Sequence, residues 1–199
     1  MKNPTTKIPR NSWRTIEPAY KRLLTIAKGA GFLGFGGDCG QAAIAINEVV
    51  LRQNGSLIGA FNEYFHNEFG LHFGHVVVQV CENGPYLDAD GEFKGFDDIE
   101  CWGMLDPNDS TYTEIIEDAD RQATEDNYQN VQLYLFDSAK DLQTQVPYDY
   151  DNVPHFVRLL EDALSTLSKK DQNRIAQLRA YATPLIAHEA ELPHESRLV

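Results

Sequence analysis

The chain has 199 residues, of which 42% are hydrophobic, enough to form a buried core and in keeping with one domain. Seventeen lysines and arginines stand against thirty aspartates and glutamates, so the formal net charge at pH 7 is -13. A charge of this sign repels phosphate backbones and anionic bilayers, which argues against nucleic acids and membranes as partners.

The N-terminal segment, residues 1–12, is predicted to be a flexible arm, because it holds two prolines and shows no periodic apolar pattern. A first helix is predicted over residues 17–28, since Pro18 suits a first helical position and apolar side chains follow at helical spacing. No secretory signal is visible, and no stretch has the roughly 20 apolar residues of a transmembrane helix. We therefore expect a cytoplasmic protein.

A glycine-rich segment precedes the second predicted helix. Six of the twelve residues from Gly29 to Gly40 are glycine, which favours a loop. The composition then changes to alanine, isoleucine and valine, which predicts a buried helix from Cys39 to about residue 54. Cys39 is therefore expected at a helix N-terminus. Residues 57–69 are predicted to form another short helix.

The hydrophobic pattern then changes to that of strands. Residues 75–81 are rich in valine and predict a strand, residues 82–85 have turn chemistry, and residues 86–90 predict a second strand. These three segments together predict an antiparallel hairpin.

An acidic segment separates this hairpin from the next strand. Residues 92–126 hold twelve of the thirty acidic residues and are predicted to form a surface loop and a helix near 112–125. Residues 131–136 alternate well enough to predict a strand, and residues 143–152 predict a polar connection.

Two amphipathic helices are predicted near the C-terminus. Residues 156–167 keep helical spacing over three turns, and Ser168 is expected to cap a second helix that ends near Ala182. The elements together predict an α+β fold. We expect an α+β domain over residues 13–150 and a helical extension, residues 151–199, packed on the same domain.

Cys39 lies where a thiol can be activated. The dipole and the free N–H groups of a first helical turn favour a thiolate and can also bind an oxyanion. His75, at the start of a strand, is the candidate base that takes or holds the thiol proton. Asp88, on the next strand, is the preferred group to orient the imidazole, and Asp90 on the same face is the alternative.

Three stretches carry this constellation: Gly36-Gly37-Asp38-Cys39-Gly40-Gln41-Ala42-Ala43, Gly74-His75-Val76-Val77-Val78-Gln79-Val80 and Tyr86-Leu87-Asp88-Ala89-Asp90-Gly91. Over about residues 30–140 the chain resembles the papain-like thiol hydrolase superfamily, in the broad sense that includes its transglutaminase-like and NlpC/P60-like branches. In that superfamily a cysteine starts a central helix, a histidine begins a strand, and a polar residue on the next strand orients the histidine. The resemblance implies a papain-like core with Cys39 as nucleophile, His75 as general base and acid, and Asp88 as the orienting group.

The donor for the oxyanion stays open. Papain supplies a glutamine a few residues before its cysteine, whereas residues 29–38 contain no glutamine. The backbone N–H of Cys39 and a side chain such as Gln41 or Asn47 are candidate donors. Gln41 and Asp38 are candidate contacts to the oxyanion or the substrate.

These residues predict a thiol hydrolase, a peptidase or amidase, that attacks an amide, isopeptide or thioester bond of a protein or peptide through an acyl-cysteine. The same residues permit an acyltransferase or deamidase of the transglutaminase-like type. A further hypothesis is an inactive papain-like module that binds a protein through its acidic surface or its C-terminal helices. The chemistry requires no cofactor and no metal, and the sequence indicates no oligomeric state.

The remaining cysteines and histidines are expected to be structural or solvated. Cys81 and Cys101 are expected to be packed thiols, because three cysteines without a close pair predict neither a disulfide framework nor a zinc site. His66 and His72 are weaker partners for the thiol, since they fall on a predicted helix and the loop after it. No chemical role is expected for the histidines of the helical tail, His155, His188 and His194.

Overall fold

The structure, a computed structural model, describes residues 8–34, 38–62, 73–82, 84–93, 131–146 and 149–184. Within these ranges the chain has an α+β fold of five helices and five strands. In chain order they are α1 (Arg10–Gly29), α2 (Cys39–Val49), β1 (Ser56–Asn62), β2 (Phe73–Gln79), β3 (Tyr86–Leu87), β4 (Glu92–Phe93), β5 (Val131–Phe136), α3 (Ala139–Gln145), α4 (Val153–Thr166) and α5 (Lys169–Tyr181).

Several predicted features lie outside the described residues. They are the first seven residues of the arm, most of the acidic segment with its helix near 112–125, Cys101, His66, His72, His188 and His194.

The first helix begins earlier than predicted. It starts at Arg10, and Pro18 lies inside it. Ile16 is fully buried and Ile8, before the helix, is 6% exposed, so the apolar stripe begins on the N-terminal side of the proline. Packing of this stripe compensates for the hydrogen bond that the proline cannot donate. The prediction of a flexible arm was therefore wrong for residues 8–12.

The five strands form one antiparallel sheet in the order β4-β3-β2-β1-β5. β1 is central: Leu57 pairs with Val78 of β2 on one side and with Phe136 of β5 on the other. The prediction of a helix from residue 57 was therefore wrong over residues 57–62. Leu57 and Ile58 are neighbours and both are buried. β1 therefore lacks the alternation of apolar and polar residues that marks a strand with one solvent-exposed face.

The predicted strands over residues 75–81 and 131–136 and the two C-terminal helices are confirmed, but the strand predicted over residues 86–90 ends at Leu87, because Asp88 to Asp90 form a turn. β5 covers residues 131–136 as predicted. The Ser168 side chain accepts a hydrogen bond from the N–H of Asp171 at the start of α5, as expected of a helix cap. α3 was missed, because it is only seven residues long and buries only Leu142.

The helices share one hydrophobic core with the sheet. α2 packs against β2 and α4, and α1 packs against α4 and α5. Arg179 of α5 donates hydrogen bonds to the carbonyl oxygens of Val49 and Val50, at 3.1 and 3.0 Å. The C-terminal helices therefore hold α2 at two places: α4 packs against it, and α5 binds its last turn.

Candidate active site

Cys39 is the first residue of α2 and is half-buried. The first hydrogen bond of the helix runs from the N–H of Ala42 to the carbonyl oxygen of Asp38, at 2.9 Å. The Asp38 side chain does not cap the helix. The N–H groups of the first turn, including that of Cys39 itself, therefore point toward the N-terminal end, where the thiol lies.

His75 of β2 and Asp88, directly after β3, form a buried pair. The Nε2 atom of His75 is 2.9 Å from Oδ2 of Asp88. The two residues are 6% and 3% exposed. They meet because β2 and β3 are antiparallel neighbours, with Val78 opposite Leu87.

The Asp88 carboxylate is held by its own turn. Its Oδ1 atom accepts hydrogen bonds from the N–H groups of Asp90 and Gly91, at 2.8 and 2.9 Å. Gly91 has a φ of 145°, a conformation that favours glycine. The turn therefore leaves Oδ2 as the oxygen that faces the imidazole.

A residue that sequence reasoning missed also supports this turn. The hydroxyl of Tyr20, on α1, donates a hydrogen bond of 2.8 Å to the carbonyl oxygen of Asp88. Burial raises the pKa of Tyr20 well above its ordinary value, and the charges of Asp88 and Asp90 add to the effect. Tyr20 therefore keeps its proton and acts as a donor. The helical spacing of apolar residues around Tyr20 predicts only a core position. It does not indicate the distant partner of the hydroxyl.

The Cys39 side chain lies beside the imidazole of His75, close enough to raise the pKa of the ring. Because Nε2 is engaged by Asp88, a proton exchanged with the thiol has to be carried by Nδ1. Burial lowers the pKa of His75, but the hydrogen bonds to Asp88 and Cys39 outweigh it and raise the pKa to about 9. At neutral pH the imidazole is therefore held as the imidazolium between two partners that stabilise its charge.

Asp90, the alternative orienting residue, points elsewhere. Its carboxylate forms an ion pair with the ammonium group of Lys28, at the end of α1. Its contribution to the pair of His75 and Asp88 is its backbone N–H, which binds the Asp88 carboxylate. The structure thus brings Asp88, and not the Asp90 side chain, to the imidazole.

Gln41 and Asp38 form a clamp at the start of α2. Nε2 of Gln41 donates to Oδ1 of Asp38 at 2.7 Å, and Oε1 of Gln41 accepts from the N–H of Asn152 at 3.0 Å. Gln41 is 3% exposed. Through these contacts, Gln41 and Asp38 join α2 to the residues just before α4. This structural role differs from the expected contact with an oxyanion.

Asn47 does not reach the thiol. It lies eight residues after Cys39, which is about 12 Å along a helix. Its side-chain amide donates to the carbonyl oxygen of Gly55 and accepts from the N–H of Gly55, at 3.1 and 2.9 Å. The prediction of Asn47 as an oxyanion donor was therefore wrong, because its amide closes the turn between α2 and β1.

Cys81 is fully buried, as expected of a packed thiol. Among the residues that the structure describes, no group of three or more histidine, cysteine, aspartate or glutamate side chains is arranged to hold a metal ion. In the same residues, no helix is long and apolar enough to cross a bilayer.

Comparison with known proteins gave no match: no family model, no curated protein and no solved structure is similar to this chain. The residues of the site are therefore the source of the functional proposal.

Proposed function

We propose that the chain is a papain-like thiol hydrolase, a peptidase or amidase that cleaves an amide, isopeptide or thioester bond through an acyl-cysteine. One observation carries the proposal. The imidazole of His75 is bound by the Asp88 carboxylate at Nε2, and the Cys39 side chain lies close enough to the same ring to raise its pKa. A thiol, an imidazole and a carboxylate in series are the groups that nucleophilic acyl transfer needs.

The arrangement of the elements also supports a papain-like core. The helix that begins with the nucleophile packs against the strand that carries the histidine, and the orienting carboxylate follows the next strand. The order of cysteine, histidine and aspartate along the chain agrees with the superfamily that the sequence resembles. The small antiparallel sheet with helices packed on it agrees with the α+β core of that superfamily.

The chemistry follows from these positions. The Cys39 thiolate adds to the carbonyl carbon of the substrate, and the imidazolium of His75 gives its proton to the departing amine or thiolate. Water then attacks the thioester, with neutral His75 as the base that takes its proton. Asp88 keeps the imidazole oriented and stabilises its charge in both steps.

Selective alkylation of the native protein at pH 6 tests the activated thiol. Ordinary thiols, with a pKa of about 8.5, react very slowly with iodoacetamide at this pH. We expect fast modification of Cys39 alone, located by intact mass and peptide mapping, and its loss in His75→Ala. His155→Ala, which removes an exposed histidine of α4, is the matched control and should behave as the wild type.

An activated ester tests acyl transfer itself. p-Nitrophenyl acetate should give a burst of p-nitrophenol and an acetyl adduct on Cys39 that water removes, and Cys39→Ala should give neither. A Cys39 no more reactive than an ordinary thiol, with no acetyl adduct, would overturn the proposed hydrolase and favour a binding module. Transfer of the acetyl group to an added amine in place of water would favour the acyltransferase.

A further inference from the structure

The turn from Asp88 to Gly91 fixes the shape of the orienting group, but its own hydrogen bonds do not fix its place. Oδ1 of Asp88 accepts from the N–H groups of Asp90 and Gly91, and the N–H of Asp88 donates to the carbonyl oxygen of Gly91 at 3.1 Å. All three bonds lie within the turn and would move with it. The strands that the turn joins, β3 and β4, have two residues each, so strand pairing alone anchors it weakly.

One outside contact comes from α1. The hydroxyl of Tyr20 donates to the carbonyl oxygen of Asp88 at 2.8 Å. Tyr20 is fully buried and Asp88 is 3% exposed. Because water does not reach this place, loss of the hydroxyl would leave a buried carbonyl without that donor, which favours a shift of the turn.

A second outside contact comes from the segment that precedes the nucleophile. Gly34 is buried and lies five residues before Cys39 in the chain. A Cβ atom built on Gly34 would overlap the Cβ atom of Ala89, the residue directly after Asp88. A methyl group has no side-chain torsion that could relieve the overlap, so a side chain at residue 34 would force the backbone to move. The missing side chain of Gly34 therefore lets the turn lie where it does.

A third contact contributes little to the position of the turn. The ammonium group of Lys28 pairs with the Asp90 carboxylate, but these side chains are 40% and 28% exposed. Ion pairs exposed to water add little stability and allow movement. The buried contacts of Tyr20 and Gly34 are therefore the ones that define where Asp88 lies.

We propose that Tyr20 and Gly34 are positioning residues for the acyl transfer, and that together they place Oδ2 of Asp88 within hydrogen-bonding distance of His75. This inference rests on the proposed function. Neither residue needs to touch the substrate, because each acts through the turn. A misplacement of about 1 Å in a group that the chemistry needs can slow a reaction about 100-fold.

Tyr20→Phe in the full chain tests the first contact, since it removes the hydroxyl and keeps the ring. The pKa of His75, followed by NMR of its ring, should fall from about 9 toward 6.5, because the bond to Asp88 that raises it is weakened. Acylation of Cys39 by p-nitrophenyl acetate should slow by up to about 100-fold. Tyr181→Phe, the matched control, removes a hydroxyl that binds Ser12 beside α5 and α1, and it should change neither quantity.

A pair of reciprocal substitutions tests the second contact. Gly34→Ala should lower the pKa of His75 and slow acylation, because its methyl group displaces Ala89 and the turn. Adding Ala89→Gly removes the overlapping methyl group, and the next atom of residue 89, its Cα, is 3.5 Å from the new Cβ, an ordinary contact. The double variant should therefore recover both the pKa and the acylation rate.

The outcomes separate this inference from the proposed function. Wild-type acylation with an unchanged His75 pKa and an unchanged rate in folded Tyr20→Phe would overturn the positioning role and leave the hydrolase intact. A lower pKa with an unchanged rate, or equal losses in Tyr181→Phe, would show a contact that only supports the fold and would also overturn the role. A wild-type Cys39 that accepts no acetyl group would remove the proposed function, and the inference would fall with it.

Discussion

The two oxygens of the Asp88 carboxylate have different partners, and only one of them serves His75. Oδ2 accepts from Nε2 of His75 at 2.9 Å, while Oδ1 is bound by the N–H groups of Asp90 and Gly91. The turn thus fixes the carboxylate so that a hydrogen-bond acceptor always faces the imidazole.

Asp88→Asn should abolish the proposed acylation of Cys39 although the change is isosteric. The two backbone N–H groups require an oxygen on their side, so the amide of the variant would present its NH₂ group to Nε2 of His75. Nε2 must then accept, and the ring proton moves to Nδ1, where it blocks acceptance of the thiol proton. We expect the acylation rate to fall about 10³- to 10⁴-fold, as for a triad histidine held in the wrong tautomer.

The control for this prediction is Asp90→Asn, which changes the same group two residues away. It should leave the acylation rate close to that of the wild type, because the Asp90 side chain pairs with Lys28 and only its backbone N–H serves the site. Equal rates in the two variants would contradict the role of Asp88.

The stability of the protein should depend on pH through His75. Burial lowers the pKa of His75, yet the bonds to Asp88 and Cys39 raise it from 6.5 to about 9. Because the folded state binds this proton more tightly than the unfolded state, the stabilisation is complete below pH 6.5 and is lost as the pH rises to about 9. The free energy of unfolding in urea should therefore decrease over that window.

His75→Gln isolates this contribution, since the variant cannot titrate there. The difference in unfolding free energy between wild type and His75→Gln should shrink from pH 6 to pH 9, measured at fixed ionic strength. A difference that stays constant, or grows with pH, would mean that the imidazolium is not stabilised in the folded state.

Gln41→Ala should loosen the clamp at the start of α2. The change leaves the N–H of Asn152 without its acceptor and the Asp38 carboxylate without its donor, and each of these partly buried hydrogen bonds contributes about 0.5 to 1.5 kcal/mol. Equilibrium unfolding measures the loss. Gln143→Ala, an exposed glutamine of α3, should change the free energy of unfolding by less than about 0.5 kcal/mol.

Arg179→Met should destabilise the last turn of α2. The guanidinium binds the carbonyl oxygens of Val49 and Val50, and a cation at this end of a helix also interacts favourably with the helix dipole. Methionine keeps much of the apolar stem, so the expected loss of about 1 to 2 kcal/mol reports the polar contacts. Arg158→Met, at an exposed position of α4, is the control and should be close to neutral; losses of equal size would contradict the capping role.

The sequence by itself determined the parts of the site that local patterns encode. The change from glycine to alanine and isoleucine around Cys39 marks a loop that becomes a buried helix, and the helix begins at that residue. The valine run after His75 marks a strand, and Ser168 marks a helix start. Each of these signals arises from neighbours within a few residues, because helical and strand periods are local properties.

Only the tertiary structure distinguished residues that the local sequence pattern treats alike. Asp88 and Asp90 share a face in the sequence pattern, and the turn at Gly91 separates their side chains. The helix predicted from residue 57 is a central strand, because pairing on both sides outweighs a spacing that fits either element. Tyr150 meets Gly40 across 110 residues of chain, and no local pattern reports such a contact, since packing between distant segments sets it.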